Sequence, residues 1–131
     1  MKMYSIVIAF FFLLFLVGLP DAHQIAAQSQ EPFNSYGHDI SWELEITHLD
    51  DFSIYLKKNP DAIGYICYFV GDKERPEKVR RRVRRAKDYL HANRNIEKGR
   101  VKITYAGRLD NSRTALYLIE KDSPSPPCGE K

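Results

Sequence analysis

Between Lys73 and Lys87 nine of fifteen residues are basic, and six of these are arginines: Arg75, Arg80, Arg81, Arg82, Arg84 and Arg85. A guanidinium stays charged at any physiological pH and grips carboxylate or phosphate in a planar fork, so such a run is suited to holding anions rather than moving protons. Arg80, Arg81, Arg84 and Arg85 form the expected basic face. The carboxylates suggest less. Glu43 and Glu45 share one parity of an alternating stretch, and Asp50 and Asp51 fall where a helix dipole favours acids. No Gly-x-Ser-x-Gly, HExxH, phosphate loop or Cys-His arrangement is present, so a non-enzymatic protein without a cofactor is expected. The four histidines (His23, His38, His48, His91) have no ligand spacing, and two distant cysteines do not make a metal site.

The basic run belongs to a helix. From Pro76 to Asn93, Val79, Val83, Ala86 and Leu90 recur at helical steps behind a proline suited to the first helical position. That apolar stripe requires a sheet to lie on. Asp39 to Ile46 alternates Ile40, Trp42, Leu44 and Ile46 with polar residues, which predicts a strand. Leu49, Phe52, Ser53 and Leu56 then share a helical face, with Thr47 available as N-cap and Asn59-Pro60 as the stop. Ala62 to Val70 is apolar on both parities and reads as a central strand; Val101 to Tyr105 and Thr114 to Glu120 read as two more. Asn93 or Asn95 can close the basic helix in a left-handed turn, with Ile96 folding back on it. The expected fold is therefore α/β, an α+β two-layer sandwich of order β-α-β-α-β-β, with a four-stranded mixed sheet and two helices on one face.

Met3 to Leu19 is an almost unbroken apolar run behind Lys2, ended by Pro20 and Asp21, which is the pattern of an export signal. Cleavage near Ala27 or Ser29 is expected, with an uncleaved N-terminal membrane anchor as the alternative. The expected organisation is a signal peptide over 1–27, a flexible lead-in over 28–38, one domain over 39–121, and a proline-rich disordered tail over 122–131. Export places the protein in the periplasm, the cell envelope or the medium, where Cys67 and Cys128 have two readings. Paired, they would close a loop of about 60 residues and contribute about 4 kcal/mol. Unpaired, Cys67 is a small core hydrophobe and Cys128 a free thiol.

Several short stretches resemble the OmpA-like domain, the peptidoglycan-associating module of bacterial envelope proteins. Arg82-Val83, Ala86, Tyr89 and Leu90 are similar to its "RAxxVxxYL" helix; Ile96, Arg100 to Ile103 and Gly107 to its "GI…RI…G" turn and strand; Asn111 to Leu116 to its closing "NRRVEI". The resemblance spans roughly Ile40 to Glu120. It implies a wall-binding site in which an arginine of the second helix and an acid after the second strand grip diaminopimelate, a zwitterion. Carried over, these are Arg82 and Asp72, with Arg113 on the closing strand as a third contact. The chain departs from the family in the connection between them, where GDKERPEKVRRRV replaces the longer "TDxxGxxxxNxxLSxxRA".

The expected partner is thus peptidoglycan or another anionic envelope component. The alternative is an interaction module whose basic helix docks on an acidic partner, a wall polyanion or a membrane surface. Nucleic acid is not expected, because the chain is read as exported and no aromatic alternates with the arginines to stack bases.

Overall fold

The computed structural model describes residues 30–128; the signal or anchor reading of 1–27 lies outside the described residues. Strand β1 (Asn34–Gly37) is followed by helix α1 (Trp42–Lys58), strand β2 (Ala62–Gly71) and helix α2 (Pro76–Asp88). A π-helical turn (Tyr89–Asn93) prolongs α2, and a short 3-10 turn (Lys98–Arg100) leads into β3 (Val101–Leu109) and β4 (Arg113–Glu120). The sheet order is β1-β4-β2-β3, with β2 and β3 parallel and β4 antiparallel to both β1 and β2. This is the four-stranded mixed sheet with two helices that the sequence leads one to expect.

Residues of both helices meet one face of the sheet, where Leu49, Phe52 and Leu56 of α1 and Ala86 of α2 join Ile66, Tyr68, Leu90 and Leu116 in a single cluster. Gly64 lets α1 lie this close, since a Cβ there would sit 2.5 Å from the Phe52 ring. Arg100 then fastens the end of α1: its guanidinium donates to the carbonyls of Leu56 (2.7 Å), Asn59 (2.7 Å) and Ala62 (2.9 Å), satisfying acceptors at the negative end of the helix dipole. Past α2, Asn95 takes the left-handed conformation (φ 57°), and the Ile96 amide bonds back to Leu90 O at 2.9 Å with its side chain buried.

Three boundaries differ from expectation, the simplest being β3, which runs on to Leu109 rather than ending at Tyr105. The first strand is Asn34–Gly37, inside the segment read as a flexible lead-in, and the alternating stretch Asp39–Ile46 is instead a loop and the first turns of α1. Ser41 is the N-cap, accepting from the Leu44 amide, while Thr47, expected in that role, lies within the helix and donates to Glu43 O. Helical spacing from Glu45 through Leu49, Phe52 and Leu56 continues the core stripe one turn earlier, and it buries Glu45 completely. Leu44, inward under a strand reading, is half exposed.

The tail also departs from its reading. Up to residue 128 it lies folded, with Pro126 and Cys128 buried and Cys128 bonded to Cys67, their Cα atoms 5.5 Å apart. Of the two readings of the cysteines, the paired one is observed. Among the described residues no helix is long and apolar enough to cross a membrane.

Candidate functional site

Arg82 sits on the border of the apolar stripe of α2, and the fold turns it inward. Its side chain is 5% exposed; Nη1 donates to Glu45 Oε2 at 2.6 Å and Nη2 to the His38 carbonyl at 2.7 Å. The other Glu45 oxygen accepts from the Tyr36 hydroxyl at 3.4 Å. Burial, reinforced by the Glu45 carboxylate, pushes the phenols of Tyr36 and Tyr68 far above their ordinary range, so both act only as neutral partners. The pair joins α1 to α2 beneath the loop between β1 and α1.

That loop carries His38, itself buried. Its Nδ1 meets Glu74 Oε2 at 2.6 Å and its Nε2 meets Thr114 Oγ1 at 2.9 Å. A carboxylate, an imidazole and a hydroxyl in sequence have the connectivity of a nucleophilic triad, but Thr114 is fully enclosed and its hydroxyl faces no substrate. The arrangement ties the β1–α1 loop to β4 and to the start of α2. Burial alone would raise the Glu74 pKa. The neighbouring Ser112 hydroxyl and the His38 hydrogen bond, with the charges of His38 and Arg82, outweigh it and hold the carboxyl below its usual value. The second oxygen, Oε1, is buried with no hydrogen-bond partner among the described residues.

Glu74 and His38 lie in the wall of a cleft of about 860 Å³, formed where the β1–α1, β2–α2 and β3–β4 connections converge. Lys73, Arg75 and Lys78 line it from the start of α2, and Asp39 and Asp110 from the other two connections. Gly71 allows the close approach of β2 to the β3–β4 turn: its amide donates to Ser112 Oγ at 2.7 Å, and a Cβ there would come within 3.0 Å of the Ser112 amide nitrogen. Chemically, the cleft offers cations at its entrance and a buried carboxylate oxygen with unused acceptor capacity. No group of three or more His, Cys, Asp or Glu residues among the described residues is arranged to hold a metal.

The three residues assigned by resemblance do not converge. Arg82 is consumed by Glu45 and His38 inside the core. Asp72 is on the surface, its side chain 71% exposed, paired with Arg108 at 3.1 Å. Arg113 points to the opposite face of the sheet, over the Phe69 ring at 4.6 Å, because residues pairing with Phe69 share its face. The basic face is partly engaged: Arg80 pairs with Glu77 at 3.0 Å and Arg85 covers the Trp42 ring at 4.6 Å, while Arg81 and Arg84 are exposed.

Of the residues that form the observed arrangement, sequence reasoning considers Glu45 and His38 but gives neither a site role, and it does not single out Glu74 or Lys78. A signal for the first existed: an acid on a helical core stripe requires a buried base on the facing element, and Arg82 borders the stripe of the other long helix read in the domain. Comparison with known proteins returns no family model, no curated protein and no solved structure that matches this chain.

Proposed function

We propose that this chain is a non-enzymatic binding module of the cell envelope that associates noncovalently with peptidoglycan, and that it does so through the cleft above Glu74 rather than through Asp72, Arg82 and Arg113. The supporting observation is the placement of Glu74 Oε1, a buried carboxylate oxygen without a hydrogen-bond partner among the described residues, in a cleft walled by Lys73, Arg75 and Lys78. A ligand with an ammonium and a carboxylate a few ångströms apart satisfies both, and the stem-peptide diaminopimelate implied by the OmpA-like resemblance is such a ligand. The order of elements supports the same resemblance.

Sedimentation with purified peptidoglycan tests this. Retention should survive moderate salt and be lost in Lys78→Ala and in Glu74→Gln, while Arg81→Ala remains bound. Equal retention in all three variants rejects the cleft. The exposure of Arg81 and Arg84 supports a second reading, a basic ridge that attracts polyanions nonspecifically. In that case retention falls steeply between about 50 and 200 mM salt and declines with Arg81→Ala as much as with Lys78→Ala.

A further inference from the structure

The face of the sheet away from α1 and α2 is buried, and among the described residues no helix lies on it. Cys67, Phe69, Ala106, Ala115, Tyr117 and Ile119 form a second apolar cluster, and Cys128 belongs to it. A sheet exposes such a face to water unless something lies on it, and among the described residues Cys128 is the member of this cluster from outside the strands, with Pro126 of the same tail also buried. Yet the tail has little of its own to hold it there. Among the described residues, the last backbone hydrogen bond joining it to another element is Lys121 N to Asp61 O at 3.1 Å. Beyond that, Ser123 N bonds to Glu120 O and Cys128 N to Pro126 O, both local, and Pro124, Pro126 and Pro127 have no amide hydrogen to donate. Asp122, in a left-handed conformation (φ 74°), turns the chain off β4 at the start of this stretch.

We infer that Asp122–Cys128 is a redox-latched strap: the Cys67–Cys128 bond holds it across the helix-free face, and reduction by a dithiol releases it while the domain stays folded. The two clusters justify the second half of that statement. The helix-side core contains no tail residue, so its contacts do not depend on the strap. The inference concerns the face opposite the helices and is independent of the wall-binding proposal.

The chemistry is thiol–disulfide exchange. Both cysteines are buried, Cys67 fully and Cys128 at 8% exposure, so attack by a reductant thiolate falls on the less enclosed Cys128 sulfur. A mixed disulfide forms there, the Cys67 sulfur departs as thiolate and takes up a proton. The second thiol of the reductant then closes on its own mixed-disulfide sulfur, releasing Cys128 as a thiol and leaving the reductant as a cyclic disulfide. Two electrons and two protons pass to the protein. Release uncovers Phe69 and Tyr117, with Arg113 over the Phe69 ring and Lys102 5.5 Å from the Tyr65 ring centroid at the margins.

The test compares the oxidised full chain, the same chain in dithiothreitol, and Cys128→Ser, by trypsin cleavage after Lys121 followed by mass spectrometry, by binding of a hydrophobic dye, and by far-ultraviolet circular dichroism. Both the reduced chain and the variant should be cut after Lys121 about tenfold faster and bind more dye, with the dichroism spectrum retained. Unchanged cleavage and dye binding would mean that the strap stays down without the bond. Loss of the spectrum in both would make the bond a staple of the whole fold. Either result overturns the inference.

Discussion

The two faces of one sheet are closed by different means. On the helix side, apolar packing surrounds a buried charged pair, Arg82 with Glu45, and a His38 bridge reaching Glu74 and Thr114. On the other side the cluster is apolar throughout, with Arg113 and Lys102 resting over aromatic rings, and it is closed by a covalent bond to the tail. A helix brings enough side-chain area to enclose ions and satisfy them, and in doing so it fixes which residues of α1 and α2 must face each other. A seven-residue strap rich in proline brings no backbone ladder, and a disulfide substitutes for it by restricting the unfolded chain. The helix side is thus specified by pairing and the strap side by tethering.

The largest effect that would break this contrast is at Arg82. Arg82→Ala leaves Glu45 enclosed without its partner and should destabilise by about 3–5 kcal/mol in chemical denaturation. Replacing the pair together, Arg82→Met with Glu45→Leu, should restore most of that loss, because the penalty lies in the orphaned charge. If the double variant is as unstable as the single, the pair is not the organising contact described here.

Cys128→Ser comes next, with an expected loss of about 2–4 kcal/mol for a tether closing a loop of this length. The loss should be the same in dithiothreitol as in oxidising buffer for the variant, whereas the parent chain should converge on the variant only when reduced. A parent chain indifferent to reductant would remove the distinction between the two faces.

The smallest effect is a change of slope with pH at Glu74. Its folded-state pKa lies below the ordinary glutamate value of about 4.5, so between the two values the unfolded chain binds more protons than the folded one and stability rises with pH. Its contribution is complete above about pH 4.5 and disappears as pH falls through the lowered folded value. Glu74→Gln should therefore flatten the acid limb of the stability curve below the ordinary glutamate range without changing its shape near neutrality. An unaltered acid limb would show that the His38–Glu74 bridge adds nothing to the helix side.

The origin of the misread first strand is local. From Ile40 to Ile46 the apolar residues fit a period of two as well as the start of a helix, and Leu44 and Glu45 exchange places between the readings: on a strand Glu45 belongs to the wet face, on the helix to the core. Isolated, an acid votes for water. It is buried because Arg82, thirty-seven residues later, approaches to 2.6 Å. The same holds for β1, four residues of mixed burial that become a strand by pairing with Arg113 to Leu116 of β4. His38 and Glu74 were equally unremarkable as single residues, and they form a site because three connections meet at one end of the sheet.

What the sequence determined by itself are the elements whose pattern is long or unambiguous: the basic helix with its proline start and an asparagine end at Asn93 or Asn95, the doubly apolar β2, the alternating start of β3 and the closing β4. Each of these is dictated by contacts within a few turns or a few residues of the same segment. Tertiary structure decided where the chain first enters the sheet, which arginine is withdrawn from solvent, which carboxylate reaches the cleft, and that the proline-rich tail is tied down. Those outcomes depend on the burial of a charge or a thiol, and burial is set by partners distant in sequence, whose approach no local periodicity records.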